Sequence, residues 1–386
     1  MFKKSTMDNP HFHLVFPNIF GFKGGIQVYS TFLLQALQDI YPEANYDVFL
    51  KYDKHNLREQ QNLQFLTSTK FHYFGDSPRL LQTILFATKI IILAILQRPT
   101  VVISTHVNYA TACYIIKLLT GIPYWVVAHG LEVWDIENNV TKLALQKADK
   151  IISVSNYTRQ RLLEYKNINS AKIVLLPNTF DANQFKINPK PSYLLERYSL
   201  TDEQPVILTV TRMGRMAKYK GYDQILHALL KVQLHVPNVH FILVGKGDDI
   251  PRIKALVTSL NLQDCVTIAG FVPDEELCAY YNLCDVFALP SKGEGFGIVY
   301  LEALACGKPV LAGNQDGSID PLADGKLGCL VDPDNVEEIA DNLIQILQGD
   351  CFNPVVYQPE YLQQKTIEAF DFSQFRASVA KLVDSN

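Results

Sequence analysis

Short, continuously apolar, β-branched runs alternate with stretches of helical apolar spacing along this chain, and at mid-chain the same grammar starts again. In the first half the runs are FHLVF (12–16), YDVFL (46–50), TVVIST (100–105), YWVVA (124–128), KIISVS (150–155) and KIVLL (172–176). In the second half they are PVILTV (205–210), VHFILV (239–244), CVTIA (265–269), CDVFAL (284–289) and KPVLA (308–312). Strands that are apolar on both sides and separated by helices form parallel sheets covered on both faces. A proline-rich, polar stretch, KINPKPSYLLERYSLTDEQP (186–205), lies between the two series. The chain therefore reads as α/β, with doubly wound parallel-sheet domains over residues 1–187 and 205–355 and a helical tail from 374. Its 386 residues, 48% of them hydrophobic, suffice for two cores.

Charge removes one class of partner. A formal net charge of −4 gives no global attraction to nucleic acid, so an anion site has to come from local clustering. The seven cysteines follow no C-x-x-C pattern, which suits reduced thiols in a cytoplasmic protein. The N-terminal MFKKSTMDNPHFHLVF lacks the unbroken apolar run of a signal peptide. The most apolar segment, LLQTILFATKIIILAILQ (80–97), carries Gln82, Thr88 and Lys89 in its interior. It reads as a core helix lying on a sheet; the sharper alternative is a helix that also touches a membrane surface.

Ligands of open parallel sheets sit beyond the carboxyl ends of the strands, so residues just after strands are the candidates. After CDVFALP comes SKGEGFG, then the helical IVYLEALAC closed by Gly307. Glu294 thus sits in a glycine-rich loop and Glu302 about one turn inside an otherwise apolar helix. A carboxylate there costs free energy unless paired. A neutral diol such as a ribose suits it, because two hydroxyls can donate to its two oxygens; a structural Arg or Lys is the alternative. In TVTRMGRMAKYKG (209–221), Arg212 ends a strand and Lys220 precedes the next helix, a pairing suited to a diphosphate, with Lys218 a rival for the second place. Gly24 and Gly25, in FPNIFGFKGGIQVYS (16–30), suit a backbone approach to phosphate but fit neither a Walker loop nor a dinucleotide fingerprint. His129 directly follows the YWVVA strand. No metal-ligand cluster is evident: the D-x-D at 332–334 reads as a turn and helix N-cap.

Together these stretches resemble the family-4 retaining glycosyltransferases. LPSKGEGFGIVYLEALACGKPVLAG (289–313) is closely similar to that family's signature, with Glu294 and Glu302 as both acids of its E-x7-E pattern. TRMGRMAKYKG, AHGLEVW, ISVSNYTRQRL and LPNTFD resemble its other segments in order. The resemblance implies a GT-B fold: two Rossmann-like domains facing across a cleft, with the last helix (374–386) crossing back to the N-terminal domain. It implies a nucleotide-sugar donor held mainly by the C-terminal domain and an acceptor by the other. By position, Glu302 would bind the ribose hydroxyls and Glu294 the donor sugar. Backbone amides of Gly295, Phe296, Gly297 and Ile298 would support sugar and phosphates, with Arg212 and Lys220 on the diphosphate. Gly24 and Gly25 would close over it, His129 would lie by the sugar and acceptor, Phe271 and Val272 by the base, and Gly245 by the nucleotide. His106 and Glu132 are placed on the acceptor side. Where the family often has a Gly-Gly pair this chain reads GNQDGSIDPL, leaving Gly317 as a donor contact.

The activity so implied is retaining hexosyl transfer from a UDP- or GDP-sugar to a glycan or lipid-linked acceptor, without a metal or other cofactor. Cell-surface polysaccharide or glycolipid synthesis is the expected setting, in the cytoplasm or peripherally at the inner membrane face. A sugar-nucleotide epimerase of the same fold and an inactive sugar-nucleotide binder are the alternatives; the paired acids with Arg212 and Lys220 speak against both.

Overall fold

The computed structural model describes residues 9–21, 24–60 and 64–384. The start of the segment read against a signal peptide, residues 1–8, lies outside them. The chain forms two units, 1–179 with 372–386, and 180–371.

The first unit holds a seven-stranded sheet. Its strands are β1 (His11–Phe16), β2 (Asn45–Leu50), β3 (Thr69–Tyr73), β4 (Val101–Ser104), β5 (Tyr124–Ala128), β6 (Lys150–Ser153) and β7 (Ile173–Leu175). They are ordered β3-β2-β1-β4-β5-β6-β7, every neighbouring pair parallel. The second unit holds six strands: β8 (Val206–Val210), β9 (His240–Val244), β10 (Val266–Gly270), β11 (Val286–Leu289), β12 (Val310–Gly313) and β13 (Cys329–Val331). Their order is β10-β9-β8-β11-β12-β13, again all parallel. Central strands such as β4, β5, β9 and β11 are buried throughout, which is why they are apolar without alternation. In each sheet the order reverses beside the first strand, between β1 and β4 and between β8 and β11. Such a switch point opens a crevice at the carboxyl ends of the strands.

The structure departs from the sequence reading in the domain boundary, in one strand and in one helix. The stretch 186–205 is not an interdomain linker. It forms a helix, Ser192–Tyr198, fastened to the second unit by Lys190 to Asp285 at 2.9 Å and Arg197 to Glu276 at 3.0 Å. The boundary instead falls after Thr179, and the second unit runs on to Asp371. The final helix, Phe372–Asp384, belongs to the first unit and packs on helix Gly25–Ile40, with Tyr29 and Phe375 edge to face at 5.4 Å. Strand β3 escapes the apolar-run reading because it is an edge strand with polar Thr69, Lys70 and His72. Helix Arg79–Gln97 is not a core helix: only Phe86, Ile90 and Ala94 are buried.

Candidate active site

In the second unit the loops after β8, β9, β10, β11 and β12 converge at one edge of the sheet. The loop after β11 is tied to its neighbours by backbone. The amide of Lys292 donates to Tyr219 O at 2.9 Å, the amide of Glu294 to Asp316 Oδ2 at 2.6 Å, and the amide of Gly317 to Glu294 O at 2.8 Å. Gly297 caps helix Ile298–Ala305 at φ +90°, and a Cβ there would stand 2.3 Å from the Tyr300 ring, so only glycine fits. Gly295, Gly297 and Ile298 thus lie in the turn that opens this helix. Phe296 is buried against Phe370 at 5.4 Å and fixes the turn by packing.

Glu302 lies on that helix, and burial pushes its carboxyl up to about 7. Its Oε2 accepts a hydrogen bond from the Tyr281 hydroxyl at 2.6 Å. A neutral phenol therefore holds the acid, and among the described residues no Lys or Arg forms an ion pair with it, contrary to the structural alternative. Glu294 and Lys220 form an ion pair in which both side chains are largely shielded. Lys220, expected on the diphosphate, is thereby engaged with the acid expected on the sugar. Arg212 stands exposed just beyond β8, and Lys218 is exposed on the turn 215–220. Asp316 is buried, with its carboxyl pushed up to about 6 by desolvation, and steadies the loop carrying Gly317.

Of the residues read for the base, Phe271 presents an exposed ring under Lys246 Nζ at 4.5 Å, while the Val272 side chain is buried. Gly245 is explained by packing: at φ +138° a Cβ would stand 1.8 Å from Thr211 O.

In the first unit, Gly24 is the cap of helix Gly25–Ile40, and nothing lies within 4 Å of a Cβ built on Gly25. The neighbouring residues 22–23 lie outside the described residues. His129 is buried, its Nε2 3.1 Å from Thr105 O and its ring edge-on to Tyr29 at 5.0 Å. Burial lowers it to about 3 and the nearby His106 adds to this, so the ring is neutral at pH 7. Glu132 accepts the His129 amide at 2.5 Å and further backbone amides at the start of helix Leu131–Trp134. These bonds anchor the loop that follows β5. His106 Nδ1 likewise accepts the Asn108 amide at 3.1 Å, a cap, and burial lowers it to about 4.

Residues 23–184 match the family described as Glycosyltransferase Family 4, and residues 196–364 match Glycosyl transferases group 1. The chain belongs to the family-4 glycosyltransferases. A GDP-mannose-dependent alpha-(1-6)-phosphatidylinositol monomannoside mannosyltransferase of Mycolicibacterium smegmatis is 34% identical over 55% of this chain and 57% of its own length. The match thus spans little more than half of that curated relative. Sucrose-phosphate synthase of Thermosynechococcus elongatus shares the fold at TM-score 0.81 and 20% identity, over 98% of this chain and 99% of that one. HepE of Anabaena, solved in complex with UDP, does so at TM-score 0.79 and 18% identity, over 98% and 100%. At these identities the likeness of the two structures is one of GT-B fold.

Two features of this family member escaped the sequence reading. Buried Asp53 accepts the amides of Ile19, Phe20 and Gly21 at 2.7, 2.9 and 2.7 Å and so pins the loop after β1. It lies far along the chain from that loop, and only a lone acid after a strand could have signalled it. A metal-ligand type of cluster also exists: His11, His13 and Asp47 converge at the amino ends of β1 and β2. There His11 Nε2 lies 2.8 Å and His72 Nε2 2.6 Å from the two Asp47 oxygens. The D-x-D reading holds in outline, with the Asp334 amide on Asp332 Oδ1 at 2.9 Å and Asn335 as the helix cap.

Proposed function

We propose that the chain is a retaining hexosyltransferase using a UDP- or GDP-sugar and a glycan or lipid-linked acceptor, without a resident metal. The observation that carries this reading is Glu302: an acid in an apolar helix, held by a phenol rather than a cation, one turn from a glycine-rich helix start. Such an acid is poised to exchange hydrogen bonds with a ribose diol. Arg212, exposed just beyond β8, and Lys220, once it exchanges Glu294 for the donor, supply positive charge where a departing diphosphate becomes more negative, and the amides opening helix Ile298–Ala305 add theirs. These groups do the work of charge stabilisation that a divalent ion does elsewhere.

Glu294 then orients the donor sugar and stabilises the oxocarbenium-like centre. The acceptor hydroxyl attacks the anomeric carbon from the face the leaving group departs, its proton passes to the departing phosphate oxygen, and no covalent adduct forms on Glu294. Neutral His129, whose Nε2 proton is held by Thr105 O, leaves Nδ1 to accept a hydrogen bond from a hydroxyl of the sugar or acceptor and brings no charge. The choice of base is supported from both sides: a relative is named for GDP-mannose and a structural neighbour holds UDP. The relative named for a phosphatidylinositol mannoside supports a lipid-linked acceptor, and with it work at the cytoplasmic membrane face.

A thermal-shift panel of UDP, GDP, ADP and their sugars, followed by transfer assays with the preferred donor in EDTA, tests the reading. One base should raise the midpoint in a concentration-dependent way and Glu302→Gln should require ~10-fold or more nucleotide for the same shift. Loss of activity in EDTA, or a glycosyl adduct trapped on Glu294, would overturn the mechanism.

A further inference from the structure

From Ser77 to Leu131 the chain contains no Asp or Glu, while Arg79, Lys89, Arg98 and Lys117 fall in this span. In a protein with 39 acidic residues that is a long carboxylate-free stretch. It folds into helix Arg79–Gln97, strand β4, helix Ala110–Thr120 and strand β5, and the two helices pack side by side. On the first helix Leu80, Ile84, Leu85, Ile92, Ile95 and Leu96 are exposed, Leu80 by 93% and Leu96 by 72%. At ~100° per residue these six fall on an arc of roughly 160°, opposite the buried Phe86, Ile90 and Ala94. Leu118 and Leu119 extend the apolar surface onto the second helix, exposed by 66% and 61%. A contiguous apolar face of this kind marks an interaction surface.

We infer that this face docks on an anionic phospholipid leaflet, with helix Arg79–Gln97 lying in the plane of the interface. The helix is long and apolar enough to span a bilayer, but its ends are stapled to the sheet. Near its start Gln82 Nε2 donates to Lys51 O and Phe74 O, both at 3.0 Å, and at its end Gln97 Oε1 lies 2.7 Å from His13 Nε2. Spanning would break these bonds and strip Phe86, Ile90 and Ala94 from the core; lying flat keeps them. An apolar face on helices with no Asp or Glu of their own, with Arg79, Lys89 and Arg98 exposed on or next to the first and Lys117 on the second paired to Asp149 at 2.6 Å, matches a negatively charged headgroup layer. A second copy of the chain fits worse, because a two-fold contact would bring the exposed Arg79, Lys89 and Arg98 of one copy towards the same cations of the other, with no Asp or Glu on the helix to pair them. The surface gives the membrane contact of the proposed function its chemistry, rests on that reading for its biological sense, and stands or falls by a separate measurement.

The experiment is co-flotation of the purified full-length chain with vesicles of phosphatidylcholine alone and with about a third phosphatidylglycerol, at low and high salt. Wild type should float with the anionic vesicles and bind less in salt. Leu80→Asp/Leu96→Asp should lower partitioning by ~10-fold or more, while Leu234→Asp, at a 78% exposed leucine of the second unit, should leave it unchanged. All three proteins should keep the same nucleotide-induced thermal shift, which separates loss of docking from loss of the donor site. Failure of wild type to float, equal flotation of the Leu80/Leu96 variant, or a dimer in solution that this variant alone dissolves would overturn the inference.

Discussion

Tyr281 on helix Asp274–Leu283 and Glu302 on helix Ile298–Ala305 share one hydrogen bond of 2.6 Å, phenol to carboxylate. Burial raises the Glu302 carboxyl from its ordinary 4.5 to about 7, against the opposing pull of the Tyr281 bond. An acid whose folded value is raised binds more protons folded than unfolded between those values, so stability falls as pH rises through that window. At pH 8 the free protein carries the full penalty. Glu302 keeps some accessible surface, which discounts it to ~1–2 kcal/mol. Glu302→Gln should therefore raise the chemical-denaturation midpoint of the unliganded protein at pH 8 and leave it nearly unchanged at pH 4.5. The same variant should weaken nucleotide binding by ~10-fold or more in calorimetry, since an amide accepts at one atom only. A variant no more stable at pH 8 would show that the acid is not strained when empty.

The Lys220–Glu294 ion pair leads to a second outcome. Both side chains are largely shielded, so removing one partner leaves an uncompensated charge. Lys220→Met and Glu294→Gln should each destabilise by ~2–4 kcal/mol, and the double variant by less than their sum, with a coupling of ~1 kcal/mol or more. All three should lose sugar transfer. Strict additivity in urea denaturation would mean that the pair does not form in solution.

What the sequence made legible follows from which interactions are local. The β11 loop and helix Ile298–Ala305 were readable because strand, glycine turn, helix and Gly307 stop are consecutive, and their chemistry follows from that order. Buried strands announced themselves by continuous apolarity, whereas edge strand β3, half exposed, did not. The boundary was misplaced because prolines at 189 and 191 suggest a linker, while the contacts that bind 186–205 to the second unit, Lys190 to Asp285 among them, come from residues far away in sequence. Asp53 and the His11–Asp47–His72 cluster were hidden for the same reason, each joining parallel strands whose partners are separated by crossovers. Helix Arg79–Gln97 was misread because apolarity reports preference for a nonaqueous neighbour without saying whether that neighbour is protein.

Thiol reactivity should be concentrated at one position. Cys278 Sγ lies 4.0 Å from Cys306 Sγ, and this contact, outweighing burial, lowers the Cys278 thiol to about 6. Cys113 and Cys284 are instead pushed up to about 12 by burial. Brief iodoacetamide treatment at pH 7 should label Cys278 first by peptide mass mapping, and Cys306→Ala, which removes the donor, should slow that labelling several-fold. Preferential labelling of any other cysteine would contradict the arrangement.

Acid should loosen the first unit through His129. Burial lowers its folded value from 6.5 to about 3, so below pH 6.5 the unfolded chain takes up a proton that the folded one refuses. Stability from this group is complete above 6.5 and is lost as pH falls, by ~1.4 kcal/mol for each unit below 6.5 until the folded value is reached. His13 and His106, each lowered by burial to about 4, add further protons to the slope. Urea midpoints measured between pH 7.5 and 5 should therefore fall on acidification. His129→Gln, which keeps a hydrogen-bonding group near Thr105 O but cannot be protonated, should reduce the slope by about one proton while lowering sugar transfer at every pH. A variant that follows the wild-type pH curve would place His129 in contact with water and remove its claim to act as a neutral hydrogen-bond acceptor beside the sugar.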